Sequence, residues 1–179
     1  MCRKMRLARY SATMGILNRL KGLLPGGRPL VPREPVTYRP IGVVHNRVRT
    51  SRLSGWEDVR YDIFLREDLV ESLEGLDEFS HVIVVFHIDK VPELEQRLRL
   101  PVGTDGVERG IFATRSQRRP NGIGISVVPI VHRRQGVLRV LGLDALDGTP
   151  VLDLKPYLPG FDAVPDAKLA SWAVVTQAD

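Results

Sequence analysis

The central part of this chain is divided into short apolar segments by turn residues, and this pattern constrains its fold most. The segment at 80–87 (SHVIVVFH) is β-branched and aromatic, and it is too short for an independent helix. In the segment at 59–65, apolar residues alternate with Arg60 and Asp62, which is typical of a half-buried strand. Further strands are predicted at 38–44, 124–131, 137–143 and 151–154, with one short helix at 67–73. The sequence therefore predicts a mainly β domain, either a barrel or a sandwich.

The stretch at 110–126 (GIFATRSQRRPNGIGIS) predicts two short strands, 111–113 and 124–128, joined by a basic turn. Proline fixes one backbone dihedral angle, and asparagine and glycine tolerate positive φ, so the PNG sequence favours a sharp turn. Guanidinium groups crowded on one loop repel each other, and their planar geometry suits carboxylate and phosphate. We interpret the stretch as an anion-binding loop rather than a solvated hairpin tip, with its charge on Arg115, Arg118 and Arg119.

The positive charge of the chain is concentrated at its N-terminal end. Residues 1–34 hold eight Lys or Arg and one acidic residue, which leaves eighteen basic and twenty acidic residues in the rest of the 179. We expect a basic N-terminal arm at 1–35, helical or disordered, and a β domain at 36–179. Three interpretations of the arm stay open: an RNA-binding segment, an amphipathic surface helix, or a dispensable tail. It could also arise from an over-long gene start, with Met14 as the true start.

Several classes of protein are disfavoured by what the sequence contains. One cysteine, Cys2, excludes a disulfide framework within the chain, and we expect a cytoplasmic protein. No apolar run approaches the ~20 residues that span a bilayer, so no membrane association is expected. His81 and His87 lack a nearby third ligand of the usual kind, so no metal site is predicted. The motifs that bind nucleotide phosphates or dinucleotides are also missing.

Two carboxylates follow the predicted strand at 137–143. Asp147 precedes a glycine in a tight turn, where we expect it to act as a turn residue. Asp144 lies at the end of the strand and is the better candidate ligand for a diol or a cation. Beyond them, Asp153, Lys155 and Tyr157 share one face if the chain is extended. We interpret them either as a structural ion pair or as part of a site.

Four motifs together resemble those of the TrmO family, also called TsaA-like or YaeB-like proteins. In order along the chain they are IGVVHN, GLDEFSHVIVVFH, GIFATRSQRRPNGIG and LDALDGTPVLDLKPY, and they cover residues 38–157. The resemblance implies a single-sheet β-barrel that binds S-adenosylmethionine, and a homodimer with the cofactor near the subunit interface. It implies methylation of N6 of threonylcarbamoyladenosine beside a tRNA anticodon. The chain resembles the shorter members without a C-terminal domain, and it has RPNGIG where the family usually has RPNPIG.

The resemblance also assigns residues to roles. Cofactor binding is expected at Phe86, His87, Ile88, Arg115, Ile125, Leu143, Asp144, Ala145 and Leu146. Substrate contacts are expected from Arg118, Arg119, Asn121, Arg133 and Arg134, with the arginines from Arg109 onward meeting tRNA phosphates. His87, Lys155 or Tyr157 could accept the proton from N6. Two alternatives stay open: a methyltransferase of the same fold that acts on a small metabolite, and a non-catalytic RNA-binding barrel.

Overall fold

A computed structural model describes residues 35–47, 55–91, 97–103 and 105–173 of the chain. The contacts between residues divide the chain into two units, 1–38 and 39–179, and every strand described below lies in the second. The predicted N-terminal arm, except for its last residue, lies outside the described residues.

Six antiparallel strands form a closed barrel in the order β1-β2-β7-β6-β3-β8. The sequence-based prediction of a mainly β barrel is therefore confirmed. A separate two-stranded sheet, β4–β5, lies between β3 and β6 in the chain. The strands are Gly42–His45 (β1), Arg60–Leu65 (β2), His81–His87 (β3), Arg99–Pro101 (β4), Glu108–Gly110 (β5), Ile123–Arg134 (β6), Val137–Leu141 (β7) and Pro150–Pro156 (β8).

The barrel interior is filled by alternate residues of its strands, as the period of two in each sequence predicts. In β2, Tyr61 and Ile63 are fully buried, whereas Asp62 lies on the outer face and pairs with Arg139 of β7 at 2.6 Å. β3 is buried only at alternate positions, so it is half-buried rather than buried on both faces. Similar inward positions in the other strands complete one core: Val44, Val82, Val84, Phe86, Val128, Leu138, Val140 and Val151.

Some sequence-based predictions are corrected by the structure. Residues Ile111–Ala113 form a 3-10 helix and not a strand, and the short strand before them is β5. The helix predicted at 67–73 is present as the 3-10 helix Glu67–Leu73. A further 3-10 helix at Leu76–Glu78 and one α-helical turn at Pro159–Asp162 complete the helices of the described residues. None of these helices is long and apolar enough to cross a membrane.

The register of the strands gives the barrel two chemically different ends. At one end lie the last residues of β1, β3 and β7 and the first residues of β2, β6 and β8. The chain segments after β3, before β6 and after β7 therefore meet at this end, which we call the cleft end. The opposite end carries the 3-10 helices at 67–78 and the turn between β6 and β7.

Candidate functional site

Two adjoining cavities open at the cleft end of the barrel. One, of about 190 Å³, is lined by Trp56, Lys90 and Thr149, among others, and we call it the Trp56 cavity. The second, of about 350 Å³, lies along the arginine-containing loop, and we call it the Arg115 cavity. Both are lined by the same four residues, Phe86, Ile88, Gln117 and Asp144. We refer to the two cavities together as the cleft.

The apolar wall of the cleft depends on a close contact between two paired strands. Phe86 of β3 lies opposite Gly124 of β6, and both face the barrel interior. A Cβ atom on residue 124 would lie 2.3 Å from the Phe86 ring, so only glycine leaves room for that ring. The contact with the Phe86 ring thus explains why the RPNGIG sequence ends in a glycine, Gly124.

The arginine-containing loop is held by its own hydroxyl groups and by one backbone bond to the end of β3. The Thr114 hydroxyl donates to the Ile111 carbonyl at 2.8 Å and accepts from the Ser116 N–H at 3.2 Å. The Ile88 N–H donates to the Gly122 carbonyl at 2.6 Å, and a Cβ on Gly122 would lie 2.8 Å from the Ile88 oxygen. The ATRS and PNG sequences therefore build a defined loop against the barrel.

Two arginines of this loop line the Arg115 cavity without a carboxylate partner among the described residues. The Arg115 guanidinium is exposed, and within the described residues its one hydrogen bond is to the Ile125 carbonyl, at 3.5 Å. The Arg119 guanidinium donates to the Thr114 carbonyl at 3.4 Å. Both bonds are long, so the two cations retain most of their capacity to bind an anion.

Asp144 lies where the two cavities meet, and its carboxylate is accessible from them. Within the described residues it has no hydrogen-bond or ion-pair partner. Desolvation by the surrounding protein raises the pKa of the Asp144 carboxyl above its usual range. A partly desolvated carboxylate without a protein partner can accept two hydroxyl hydrogen bonds from a ligand, as a ribose diol would supply.

Asp147, three residues later, has a structural role. Its Oδ1 accepts from the Asn46 backbone N–H at 3.0 Å, and the Asn46 side-chain amide donates to the Ala145 carbonyl at 3.2 Å. Lys90 Nζ donates to the Asp147 carbonyl, and the Gly148 N–H donates to the Val44 carbonyl at 2.8 Å. These bonds fasten the segment that carries Asp144 to the end of β1 and, through Lys90, to the segment after β3.

The structure gathers most of the residues predicted to bind the cofactor. Seven of the nine line the cleft: Phe86, Ile88, Arg115, Ile125, Asp144, Ala145 and Leu146. Leu143 does not, because its side chain is fully buried in the barrel core. His87 also does not line the cleft, since it alternates with Phe86 and lies exposed on the outer face of β3. Their contact with a cofactor stays a prediction.

Of the three candidate proton acceptors, only His87 lies at the cleft end. Lys155 pairs in register with Ile83, which is four residues from His87 and therefore about 13 Å away along β3. Its ammonium group forms an ion pair with Asp153 at 2.7 Å. The Tyr157 ring lies 6.3 Å from the ring of His81, at the opposite end of the barrel. Lys155 and Tyr157 therefore do not meet the cleft of their own chain.

The predicted substrate contacts fall at two separate places. Arg118, Arg119 and Asn121 lie on the loop beside the cleft, where Arg119 lines the Arg115 cavity. Arg133 and Arg134 end β6 at the opposite end of the barrel, roughly 30 Å from the start of that strand. Arg133 also pairs with Asp77 at 2.9 Å. The structure therefore does not bring these two groups together on one chain.

Arg109 is also not available in the way the sequence suggested. Its guanidinium pairs with Asp105 at 2.6 Å, donates to the Val102 carbonyl at 2.7 Å, and lies 4.2 Å from the ring centre of Trp172. These contacts leave its side chain 16% exposed, so Arg109 stabilises the β4–β5 hairpin instead of facing a phosphate.

Gln117 and Trp56 are among the cleft residues that sequence reasoning missed. Gln117 lines both cavities, but a single amide among three arginines is no local signal of a binding site. Trp56 is 8% exposed and lines the Trp56 cavity, although the loop that contains it has no motif of its own. Their positions follow only from the barrel closure. The described residues contain no group of three or more His, Cys, Asp or Glu side chains that could hold a metal ion.

Comparison with known proteins agrees with this architecture. The sequence profile of the tRNA-methyltransferase O N-terminal domain matches residues 47–163. A Pyrococcus abyssi protein named "probable S-adenosyl-L-methionine-binding protein" is 38% identical over 132 residues, which make up 71% of each chain. The tRNA (adenine(37)-N6)-methyltransferase of Mus musculus is 39% identical over 106 residues, 59% of this chain but 24% of that enzyme.

Among solved structures, the crystal structure of TrmO from P. aeruginosa is similar with a TM-score of 0.64 and 35% identity. The match covers 78% of this chain and 62% of that one, so the chain spans less than two thirds of the TrmO structure. The match of sequence and fold extends over most of the barrel and its cleft. The chain belongs to the tRNA-methyltransferase O family.

Proposed function

We propose that this protein is an S-adenosylmethionine-dependent methyltransferase that acts on N6 of an adenine in tRNA, specifically threonylcarbamoyladenosine beside the anticodon. One observation carries the proposal. Within the described residues, the cleft combines a carboxylate without a partner, an arginine without a carboxylate partner and an apolar wall, on Asp144, Arg115 and Phe86. The relatives named for S-adenosylmethionine binding and for tRNA adenine methylation support the same reading.

The residues of the cleft fit the chemical parts of this cofactor. Arg115 can pair with the methionine carboxylate, and Asp144 can accept hydrogen bonds from the ribose hydroxyls. Phe86, Ile88 and Leu146 offer apolar surface to the adenine. The bound cofactor supplies a methyl group on a cationic sulfur, whose transfer by in-line displacement depends chiefly on positioning.

Methylation of N6 requires that this nitrogen lose a proton. We assign His87 as the acceptor among the three predicted candidates, because it lies at the cleft end of the barrel, on the outer face of β3 next to Phe86, whereas Lys155 and Tyr157 lie farther away. An imidazole is the side chain that most often acts as a general base in enzymes. Arg118 and Arg119 lie beside the cleft, where they can meet tRNA phosphates.

A homodimer is part of this proposal. The outer face of β6 carries a row of apolar side chains at the cleft end. These are Ile123, Ile125 and Val127, which are 43%, 48% and 49% exposed. Ile125 also lines the Arg115 cavity, so a second copy packed on this row would adjoin the cleft. Val127→Asp should shift the protein to a monomer in analytical ultracentrifugation. A Val127→Asp variant that keeps the wild-type mass would contradict this use of the face.

The function is tested in two steps. Calorimetric titration with S-adenosylmethionine should show binding, whereas a non-catalytic RNA-binding barrel would show none. The protein and cofactor are then incubated with purified tRNA that contains threonylcarbamoyladenosine, followed by mass spectrometry of the nucleosides. A mass increase of one methyl group on that nucleoside is expected. Cofactor binding without any modified nucleoside would favour a small-metabolite methyltransferase instead. A tRNA substrate would place the protein in the cytoplasm.

A further inference from the structure

Phe112 is a large apolar side chain that the fold holds in the open. It is 81% exposed, although the preceding residue, Ile111, is 2% exposed and belongs to the buried interior. Single exposed apolar residues are common on proteins, and exposure alone does not indicate function. Phe112 is informative because its backbone is fixed and because of the groups around it.

The turn that carries Phe112 is anchored on both sides. The Ile111 N–H donates to the Leu98 carbonyl at 2.9 Å, which joins the turn to the start of the β4–β5 hairpin. The Thr114 N–H and hydroxyl both donate to the Ile111 carbonyl, at 3.1 and 2.8 Å. With Ile111 buried and the 3-10 turn closed by Thr114, the Phe112 ring is held outward and cannot collapse onto the core.

The ring lies at a cavity whose chemistry suits a nucleic acid. Phe112 lines the Arg115 cavity together with two guanidinium groups, those of Arg115 and Arg119. Proteins bind unpaired bases with an aromatic surface for the base and cations for the backbone phosphates. With Arg115 assigned to the cofactor carboxylate, Arg119 is the cation of this cavity that can meet a phosphate. The same cavity contains Asp144, so a base stacked on Phe112 would be adjacent to the proposed cofactor site.

We propose that Phe112 is a stacking platform for a base of the RNA substrate, presented at the mouth of the Arg115 cavity. This inference rests on the proposed tRNA substrate and names the residue that receives it. Stacking of one base on an aromatic side chain changes RNA affinity by roughly fivefold to a hundredfold when the ring is removed. The effect should fall on RNA binding and leave cofactor binding unchanged, because the cofactor contacts are assigned to other residues of the cleft.

The test uses substitutions that separate the ring from its apolar volume. Phe112→Leu keeps an apolar side chain without a π face, and Phe112→Tyr keeps the face. Phe161 is a matched control, since it is 86% exposed and does not line the cleft among the described residues. For each full-length variant one measures the Kd for tRNA by fluorescence anisotropy, the KM for tRNA, the Kd for S-adenosylmethionine, and the mass in solution.

Phe112→Leu should raise the Kd and KM for tRNA by roughly fivefold to a hundredfold. Phe112→Tyr and Phe161→Leu should stay within about twofold of wild type. An unchanged tRNA affinity in Phe112→Leu would overturn the proposal. A weaker cofactor affinity would also overturn it, because Phe112 would then contact the cofactor adenine. A lower mass in solution would overturn it too, because Phe112 would then be a subunit contact. If wild-type protein binds tRNA but does not methylate it, the proposed reaction fails and the anisotropy arm still decides the role of Phe112.

Discussion

The charged side chains of the cleft, Asp144 and Arg115, differ in their partners from three ion pairs at the opposite end of the barrel. At the opposite end, cations and carboxylates are paired with each other: Lys155 with Asp153 at 2.7 Å, Arg133 with Asp77 at 2.9 Å, and Arg66 with Asp68 at 2.6 Å. At the cleft end, Asp144 has no partner within the described residues, and Arg115 has one long bond to a carbonyl.

This difference indicates where a ligand binds. A carboxylate that is partly desolvated without a partner raises the free energy of the folded state, and the raised pKa of Asp144 reflects that cost. Paired charges at the opposite end carry no such cost and need no ligand. The sequence contains acidic and basic residues near both ends, so their pairing, and not their number, distinguishes the cleft.

The largest effect is expected from Arg115→Ala. Loss of a charge-assisted bond to the cofactor should cost about 1.5–3 kcal/mol, which weakens S-adenosylmethionine binding about tenfold to a hundredfold. Because Arg115 makes one long bond among the described residues, the Tm should stay close to that of wild type. Arg133→Ala, at the opposite end, serves as the matched control and should bind the cofactor normally. Equal cofactor affinity in the two variants would remove Arg115 from the site.

Asp144→Asn should have a smaller effect on cofactor binding and should not lower the thermal stability. Asn offers one acceptor oxygen where the carboxylate offers two, so affinity for S-adenosylmethionine and for its demethylated product should fall by up to about tenfold. The folded pKa of Asp144 is raised, so ionisation disfavours the folded state, and this cost appears as pH rises through that pKa. At neutral pH the variant should therefore melt no lower than wild type.

Asp147→Asn is the matched control for Asp144→Asn. The substitution keeps an oxygen that can accept from the Asn46 N–H, so cofactor affinity should be retained, while the free energy of unfolding falls by at most about 1 kcal/mol. Melting curves and calorimetry on both variants decide between the two carboxylates. A loss of cofactor affinity in Asp147→Asn alone would reverse their assigned roles.

The smallest effect is expected from Lys155→Met. This lysine is 62% exposed, and its ion pair with Asp153 lies at the opposite end of the barrel. Exposed ion pairs contribute little to stability, so the Tm should stay close to that of wild type. The kcat for methyl transfer should stay within about twofold of wild type. His87→Ala measured beside it should lower kcat. A kcat that falls for Lys155→Met and not for His87→Ala would return the proton-accepting role to Lys155, supplied across the proposed dimer.

Local sequence signals predicted most of the strands. Alternation at 59–65 predicted β2 with Tyr61 and Ile63 inward, and β-branched residues predicted β3, because side-chain period and propensity are local properties. The apolar triplet at 111–113 misled the prediction. It forms a 3-10 turn because Ile111 alone is buried, and Thr114 caps the turn with its hydroxyl.

The sequence by itself determined the mainly β character, the arginine loop and the distinction between Asp144 and Asp147, since each depends on residues that are close in the chain. Only the tertiary structure decided which of these meet. Barrel closure brings Phe86, Gln117 and Asp144 into one cleft and sends Lys155 and Tyr157 to the other end. It also pairs Arg109 and Arg133 with carboxylates. The physical reason is that pairing, burial and desolvation depend on neighbours from distant strands, which spacing along the chain does not specify.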